Sequence, residues 1–416
     1  MSSYRMPAEG ASWIDLRKEV HGLKAGDIDW AHGAFYYHWP EPGGDIHATA
    51  MAVSNQFFND QWLGRYNQPS FNRLLSEIGG MVLGIVGAPE GAHCCLTTGG
   101  TESIILAMKT ARDWAAATRP ARGRPRIILP RSAHPAFNKA AALLGLEAVR
   151  LPQGPDWRAD VAAMAAEVTP DTIAIVGSAP SWPHGLIDPI PAMAAIAREH
   201  GLWCHVDGCI GGYLLPFFRA AGAPVPPWGF EIEGVRSLSA DLHKFGFTPN
   251  GMSSLILRHG EDREFLRFSF GGWPCGPYAT ECLVGTRPAR AAAAAWAVMR
   301  RLGHAGYVEL ARRTLATTRK LVEGLAAIGD LEPLAPPESG VLLVISRSLD
   351  IFAVSEGLKK RGFPHGRVLE PEGLHFVMNP VEDSAPVDAL LAAFAASVAE
   401  VRGGSLTRQS AQASYV

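Results

Sequence analysis

Four short stretches of the sequence carry residue types that could do chemistry, and the most unusual is SLSADLHKFGF, Ser237 to Phe247. It sets Lys244 beside His243, after a short β-like run and before aromatic and glycine residues that suggest partial burial. A buried ammonium group is costly unless it is paired or loses its charge. A lysine that forms an imine with an aldehyde is no longer a plain ammonium, so covalent chemistry is one explanation. An ordinary surface lysine is the alternative.

The second stretch is TTGGTES, Thr97 to Ser103, between an apolar segment and a helical pattern. Glycines such as Gly100 let backbone N–H groups approach an anion, and hydroxyls such as that of Thr101 add donors. The start of the following helix adds a favourable dipole. The spacing lacks the Gly-Lys-Ser/Thr ending of the nucleotide P-loop. The stretch therefore predicts a phosphate cradle, with a simple helix cap and turn as the alternative.

The remaining two stretches place single polar residues after strand-like runs. Asp207 in HVDGCIGG follows an apolar run, where a carboxylate must be solvated, cap a turn or meet a cation. A protonated ring nitrogen is such a cation, and the hydrogen bond to it is worth about 1.5 to 3 kcal/mol. His134 in RSAHPAFNKAA could stack on a planar ligand or carry a proton. A turn aspartate and a turn histidine are the alternatives.

Together the four stretches match one cofactor, pyridoxal 5′-phosphate, which presents an aldehyde, a ring nitrogen, a ring face and a phosphate. Lys244, Asp207, His134 and the cradle around Gly100 offer one partner to each of these groups. A metal hydrolase that uses His205, Asp207 and His243 as ligands is another reading. It is disfavoured because His205 and Asp207 are only two residues apart on a strand-like segment, and because no H-E-x-x-H pattern occurs.

The elements that must position these residues follow from the hydrophobic pattern. Helix-like segments at 70–87 and 102–119 alternate with short apolar runs that begin at residues 126, 172, 202 and 253. This alternation predicts an α/β domain with a largely parallel sheet, whose ligands bind at the carboxyl ends of the strands. We predict an N-terminal arm of weak periodicity (1–50), a large cofactor-binding domain (51–300), a small α/β domain (301–402) and a polar tail (403–416).

Composition narrows the class of protein. The 416 residues, 47% of them hydrophobic, are enough for two domains. The net charge of −2 and the absence of Lys/Arg blocks argue against a nucleic-acid partner. No secretory signal pattern and no run of eighteen apolar residues occurs, and the six cysteines form no C-x-x-C pair. We expect a cytoplasmic protein with reduced thiols and no membrane span.

The same stretches resemble a known family. TTGGTESIILAMKTARD, SAHPAFNKAA, GSAPSWPHGLIDPI, HVDGCIGGYLLPF and GVRSLSADLHKFGFTPNG are similar to successive signatures of the sphingosine-1-phosphate lyases, within the group II pyridoxal-phosphate-dependent decarboxylases. The similarity runs in order from about residue 65 to 400, through GPYATECLVGTRPA and DIFAVSEGLKKRGF. It implies the type I, aspartate-aminotransferase-like fold of pyridoxal-phosphate-dependent transferases, with a large and a small α/β domain.

The resemblance also implies roles for individual residues. Lys244 should hold the cofactor as an imine, Asp207 should pair with the pyridine nitrogen, and His134 should cover the ring. The remaining candidates are cofactor or substrate contacts, some of them across the interface of a homodimer. Gly100 and Thr101 should hold the cofactor phosphate, and His243 should be a phosphate or proton-relay contact. His205 should line the same pocket, and Tyr278 is a candidate acid or base. Thr286 lies in the Gly285–Arg287 segment that should reach the neighbouring subunit's phosphate.

Two departures from the family pattern bear on the substrate. Asn250 stands where the lyases commonly carry a lysine associated with the substrate phosphate, and a family histidine is absent at Asn67 or Gln68. Replacing a cation by an amide removes a charge-assisted contact. We therefore expect a carbon–carbon lyase that acts on a small amine or amino acid and not on a phosphorylated long-chain base.

These residues do not decide which bond at the substrate's α-carbon is cleaved. Retro-aldol cleavage is favoured, α-decarboxylation of an amino acid is the alternative, and a non-catalytic cofactor-binding regulator is more remote. We also expect Lys244→Ala to abolish turnover while largely sparing the fold, because an imine link is not a core contact.

Overall fold

The computed structural model describes residues 6–27, 44–62, 68–119 and 122–409, and the chain divides into two compact units, Met1–Gly33 and Ala34–Val416. In the first unit, helix α1 spans Trp13–Leu23. It begins after Ser12, whose hydroxyl accepts a hydrogen bond from the Asp15 N–H. A serine cap thus starts a helix that the weak periodicity concealed, and the N-terminal arm over 1–50 stays a prediction.

A mostly parallel sheet of seven strands dominates the second unit, which confirms the predicted α/β class. The strand order is β1-β7-β6-β5-β4-β2-β3. Strand β7 runs antiparallel to both of its neighbours, and the other pairs are parallel. The strands are β1 (His93–Thr97), β2 (Arg126–Pro130), β3 (Glu147–Leu151), β4 (Thr172–Ser178), β5 (Trp203–Asp207), β6 (Val235–Ala240) and β7 (Ser253–Leu257).

Helices cover both faces of this sheet, so its central strands β4, β5 and β6 are almost entirely buried. Every residue of β4 is buried, as expected for a parallel strand covered on both sides. Ile127 of β2 joins the apolar cluster of α4 and α5, whereas Ile128 joins that of α3 and α7. The helices here are α2 (Gly44–Gln56), α3 (Pro69–Ile85), α4 (Gly100–Thr118), α5 (Ala136–Leu144), α6 (Val161–Ala166), α7 (Ile190–Glu199), α8 (Leu215–Ala220) and α9 (Arg263–Leu266).

A hairpin and a long helix lead to a second sheet. The hairpin pairs β8 (Phe268–Phe270) with β9 (Tyr278–Thr280), and helix α10 spans Ala289–Ile328. This helix is interrupted at Gly303, whose φ of 58° and ψ of −179° are essentially accessible only to glycine.

The second sheet has four antiparallel strands in the order β10-β11-β13-β12. It matches the predicted small α/β region, while the boundaries at residues 50, 300 and 402 stay predictions. No helix within the described ranges is both long and apolar enough to cross a bilayer. The elements are β10 (Glu332–Pro333), β11 (Val341–Ile345), α11 (Ile351–Lys360), β12 (Gly366–Leu369), β13 (Glu372–Val377) and α12 (Ala385–Arg402).

Candidate active site

A cavity of about 400 Å³ opens at the edge of the seven-stranded sheet where β2, β4, β5 and β6 end. Strand β1 ends at the same edge, because it is antiparallel to β7, which is antiparallel to β6. Loops from distant parts of the sequence therefore meet here, as they do at ligand sites of α/β proteins. The lining residues are Thr98, Gly99, Gly100, Thr101, Glu102, Ile104, His134, Pro180, Trp182, Asp207, Cys209, Ile210, Asp241, His243 and Lys244.

The predicted phosphate cradle forms one wall of this cavity. Helix α4 begins at Gly100, so its first N–H groups lie beside Thr101 and the open space. The carboxylate of Glu102 fixes the turn by accepting hydrogen bonds from the N–H and hydroxyl of Thr98 at 2.7 and 2.6 Å. It also accepts the N–H of Leu283 at 2.9 Å. A side chain at position 100 would not fit, since its Cβ would lie 2.6 Å from Oδ2 of Asp241.

His243 borders the cradle with a ring nitrogen that lacks a partner. Its Nδ1 is buried, and no donor or acceptor reaches it from the described residues. The ring lies against the cradle, with Cε1 3.6 Å from where a Cβ of Gly99 would be. Burial lowers the pKa of His243, although Asp241 opposes that effect. An orphaned buried nitrogen beside a set of backbone N–H groups fits an anionic ligand better than an empty interior.

Lys244 reaches the cavity with its ammonium group held by a carboxylate that the sequence analysis missed. Nζ of Lys244 lies 3.0 Å from Oδ2 of Asp241, whose side chain is only 1% exposed. Asp241 also accepts a 2.5 Å hydrogen bond from the Ser253 hydroxyl at Oδ1. In the sequence, an aspartate three residues before a lysine is indistinguishable from a solvated loop residue, so only its burial reveals the pair.

The pair shifts both of its members toward their charged forms. Burial alone would lower the pKa of Lys244, but the Asp241 carboxylate outweighs it and the pKa lies well above its ordinary value. Burial would likewise raise the pKa of Asp241, yet the ammonium of Lys244 holds it below the ordinary value. The cofactor-free site therefore keeps an ion pair in place.

Asp207 borders the cavity at the end of β5. Its Oδ1 accepts the Cys209 N–H at 3.1 Å and the Ser239 hydroxyl at 3.3 Å. In the described part of the chain no protein donor reaches Oδ2. One carboxylate oxygen is therefore anchored and the other is available to a ligand.

His205 does not line the cavity, which corrects the prediction that it would. Its exposed fraction is 0%, and its ring is hydrogen-bonded to Ser237 and Ser239. His205 and Asp207 share one face of β5, but two residues correspond to roughly 6.6 Å along a strand. The carboxylate therefore reaches the edge of the sheet while the imidazole stays inside it.

His134 meets the cavity just past β2, as predicted. Its Nδ1 accepts the Ala136 N–H at 3.1 Å, and its carbonyl accepts Arg150 at 3.3 Å. Burial is the main cause of a lowered pKa, partly offset by the nearby Asp207. A neutral ring held by its own backbone turn is suited to lie against a planar ligand.

The other predicted contacts lie outside the cavity of their own chain. Tyr278 is half-buried in β9, and Thr286 is exposed in the following loop. Arg287 is turned inward, where it donates to the Leu96 carbonyl at 3.2 Å and covers the ring of Trp62. Asn250 is exposed and also outside the lining set. Gln68 directly precedes α3, whereas Asn67 falls outside the described residues.

The residues present fit pyridoxal 5′-phosphate. One cavity of suitable size brings together the groups that this cofactor needs. They are the amine of Lys244, the Asp207 carboxylate with one available oxygen, the planar ring of His134, and the anion cradle beside the unpartnered Nδ1 of His243. Within the ranges that the structure covers, no three His, Cys, Asp or Glu side chains form a group that could hold a metal ion. The fold and the site together define the pyridoxal-phosphate-dependent class of enzymes.

Comparisons with known proteins agree with this class. Residues 5–347 match the model of the pyridoxal-dependent decarboxylase conserved domain. The sphingosine-1-phosphate lyase of Arabidopsis thaliana is 34% identical over 89% of this chain and 69% of its own. A relative named "Probable L-tyrosine/L-aspartate decarboxylase", from Methanothermobacter thermautotrophicus, is 30% identical over 81% of this chain and 92% of its own. The solved sphingosine-1-phosphate lyase of Burkholderia pseudomallei superimposes with a TM-score of 0.92, at 32% identity over 97% of this chain and 94% of its own.

The chain therefore belongs to the pyridoxal-dependent decarboxylase family, and within it the chain is similar to the sphingosine-1-phosphate lyases. Its cofactor is pyridoxal 5′-phosphate, and the protein is a carbon–carbon lyase.

Proposed function

We propose that this lyase cleaves the Cα–Cβ bond of a small β-hydroxy amine or amino acid by a retro-aldol reaction, and that a phosphorylated long-chain base is not its natural substrate. The observation that carries the proposal is the convergence of Lys244, Asp207 and the cradle on one cavity. A cytoplasmic location, inferred from composition, belongs to the same proposal.

Each group of the cofactor is assigned to residues that border the cavity. Lys244 binds the aldehyde, Asp207 the ring nitrogen, and His134 the ring face. Gly100, Thr101 and His243 bind the phosphate. When bound, the cofactor withdraws electrons from the bonds at the substrate's α-carbon.

The protein's part in the chemistry is to hold and move protons. Lys244 Nζ lies 3.0 Å from the Asp241 carboxylate, which favours the protonated amine. With cofactor and substrate bound, Lys244 would therefore supply the proton that the product carbon takes up. The proton of the β-hydroxyl needs a base, and we assign this step to His134, whose burial favours the neutral ring, or to Tyr278 of the partner subunit.

A homodimer with the site between subunits is part of this proposal. Tyr278 and Thr286 lie outside the cavity of their own chain, so a role for them requires a second copy. Large apolar side chains are exposed around them, as expected for a surface that a partner covers. They are Phe268, Phe270, Trp273, Leu283 and Val284, each at least 43% exposed.

The inference about the substrate rests on charge. Among the described residues that line the cavity, Lys244 is the only lysine or arginine, and the cofactor occupies it. A substrate phosphate would need a further cation. Asn250 is exposed and outside this cavity, so it would contribute across the dimer interface.

Decarboxylation of an amino acid is a second candidate, because the matched family model and the Methanothermobacter relative both carry the name of decarboxylases. The two reactions share one cofactor and differ in which bond at the α-carbon is held perpendicular to the ring. Release of carbon dioxide without an aldehyde would favour this candidate.

The test is a screen of the holoenzyme against β-hydroxy amines, amino acids and sphingosine 1-phosphate, with aldehyde and carbon dioxide measured in parallel. We expect aldehyde from a small unphosphorylated substrate. Efficient cleavage of sphingosine 1-phosphate would contradict the substrate assignment. Asn250→Lys, with Asn250→Gln as the neutral control, is expected to improve the KM for a phosphorylated amine and leave that for the unphosphorylated amine unchanged.

A further inference from the structure

A chain of buried hydrogen bonds lies behind Asp207, away from the cavity. It runs from Nε1 of Trp203 to Oγ of Ser237 (2.7 Å), then to Nδ1 of His205 (2.8 Å). Nε2 of His205 continues to Oγ of Ser239 (3.4 Å), which lies 3.3 Å from Oδ1 of Asp207. Trp203, Ser237, His205 and Ser239 all have an exposed fraction of 0%. The polar atoms of this chain therefore depend on one another and not on water.

One member of the chain can only donate. The indole N–H of Trp203 has no acceptor capacity, so Ser237 Oγ must accept there. The single hydroxyl proton of Ser237 is then available to the neighbouring Nδ1 of His205. This arrangement requires that Nδ1 carries no proton, which places the ring proton on Nε2.

The opposite arrangement, with the ring proton on Nδ1, leaves one buried donor without an acceptor. If Nδ1 of His205 carried the proton, Ser237 would accept twice and its own hydroxyl proton would be buried without a partner. A buried unmet donor is costly compared with a satisfied one. Burial also lowers the pKa of His205 to about 4, so the ring is neutral near neutral pH and carries a single proton.

The direction of the first two bonds sets the last one. With its proton on Nε2, His205 donates to Ser239 Oγ, which also accepts the Cys209 thiol at 3.3 Å. The acceptor capacity of Ser239 is then filled, and its own proton is donated to Oδ1 of Asp207. In the reverse direction Ser239 would donate to His205 and leave Asp207 with one donor fewer.

We propose that Trp203 fixes the direction of this chain, and that His205 is a positioning residue that, through Ser239, orients the Asp207 carboxylate with one oxygen toward the cofactor. The inference rests on the proposed role of Asp207 as partner of the cofactor's ring nitrogen. His205 was expected to line the cofactor pocket directly, and here it acts on the cofactor indirectly, through Ser239 and Asp207. Two donors at Oδ1, from Ser239 and from the Cys209 backbone, then leave Oδ2 for the ring.

The first test reads the ring proton of His205 in the wild-type holoenzyme by nitrogen-15 NMR. His205–Val206 is the only His-Val pair in the sequence, so labelling histidine with carbon-13 and nitrogen-15, and valine with nitrogen-15, assigns the signal without a variant. We expect a protonated Nε2 and an unprotonated Nδ1. Trp203→Phe, which removes the indole donor, is expected to populate the other tautomer. A protonated Nδ1 in the wild type, or no change in the variant, would overturn the proposal.

The second test separates positioning from packing by the affinity for pyridoxal 5′-phosphate. A glutamine amide can reach the position of Nε2, whereas an asparagine amide reaches only that of Nδ1. We expect His205→Gln to stay near the wild-type Kd, and His205→Asn and Ser239→Ala each to weaken binding about tenfold, as for one hydrogen bond to a charged group. Equal Kd values for the glutamine and asparagine variants would count against the proposal.

A separate variant distinguishes failure of this proposal from failure of the role assigned to Asp207 in the proposed function. Asp207→Asn is expected to weaken cofactor binding more than any change in the chain behind it. If Asp207→Asn binds the cofactor as the wild type does, the assigned role of Asp207 is wrong even where the tautomer result stands. If Asp207→Asn binds the cofactor weakly but the ring proton of His205 is found on Nδ1, the role of Asp207 stands. Only the proposed direction of the hydrogen bonds behind it is then wrong.

Discussion

Among the ion pairs of the described residues, one largely buried pair at each of the two larger sheets can be compared, and their surroundings differ. Lys244 and Asp241 lie at the edge of the seven-stranded sheet, and their side chains are 15% and 1% exposed. Arg367 and Glu356 lie at the four-stranded sheet, 2.6 Å apart and 5% and 12% exposed. Both pairs carry the desolvation cost of buried charge.

The arginine is held by neighbouring side chains of the same region. Arg367 donates from Nε to the Ser355 hydroxyl at 2.8 Å, and its guanidinium lies over the ring of Phe352. A guanidinium also does not lose its proton in proteins. The lysine instead borders an open cavity, where its amine can form an imine with an aldehyde. Similar burial therefore serves structure in one pair and chemistry in the other.

The largest difference between the pairs should be in turnover. Lys244→Ala removes the nucleophile and is expected to lower kcat at least a thousandfold, on the order of what loss of a covalent catalyst costs. Arg367→Met, in a pair whose residues do not line the cavity, should retain near wild-type kcat per folded molecule. Steady-state rates on the substrate found in the screen check both, and an active Lys244→Ala enzyme would contradict the assignment of the nucleophile.

The two pairs should behave alike in stability, which revises the expectation that Lys244→Ala spares the fold. Without its ammonium partner, the Asp241 carboxylate is buried and uncompensated, so cofactor-free Lys244→Ala should lose about 3 to 5 kcal/mol of unfolding free energy. A second change, Asp241→Asn, should recover most of that loss. Urea denaturation compares the single and double variants, and an unchanged midpoint for Lys244→Ala would show that Asp241 is not charged.

Arg367→Met offers the same comparison at the other sheet. It should also cost about 3 to 5 kcal/mol, with recovery on adding Glu356→Gln. Failure of the double variant to recover would mean that the packing of Arg367 over Phe352 matters more than its charge.

His205 in β5 and His375 in β13 are buried histidines that should destabilise the protein in acid. Burial lowers the pKa of both His205 and His375 to about 4 from the ordinary 6.5. Their contribution is complete above pH 6.5 and is lost as the pH falls toward 4, by about 3 kcal/mol for each histidine. Denaturation midpoints between pH 7.5 and 4 check the trend, and His375→Gln should reduce the proton uptake on unfolding by about one. An identical pH profile for that variant would refute the prediction.

The smallest effect should come from an exposed pair. Arg347 and Glu332 form an ion pair at the four-stranded sheet, with side chains 81% and 45% exposed. Arg347→Ala should change the unfolding free energy by less than about 1 kcal/mol, because water screens such pairs. A loss as large as that of Arg367→Met would mean that burial is not what separates the two classes of pair.

The sequence predicted strands best where almost every residue of the strand is buried. The runs at Arg126–Pro130 and Thr172–Ser178 were predicted as strands and coincide with β2 and β4. Strand β1, HCCLT, was not predicted, because two cysteines and a histidine give it no clear period. Its partner β7 is 160 residues away in the numbering and antiparallel, and local pattern carries no information on such pairing.

At the site, the residues that directly follow strands were predicted to converge, and Lys244, Asp207, His134 and Gly100 do border one cavity. Asp241 was missed because type and spacing do not reveal whether a carboxylate is solvated. Residues such as Tyr278 that lie outside the cavity cannot be assigned from one chain, since their partners would come from another.

The edge position of β1 has a consequence for synthesis on the ribosome. Among the described residues, the strand partner of His93–Thr97 is Ser253–Leu257 alone, so the turn that carries Gly100 has no neighbouring strand to anchor it until residue 257 has emerged. At about 5 to 20 residues per second, that delay is on the order of ten seconds. During this delay, the nascent chain contains the start of α4 but not a completed phosphate cradle. The vitamin B6 cofactor can therefore bind only after the later half of the domain has been synthesised.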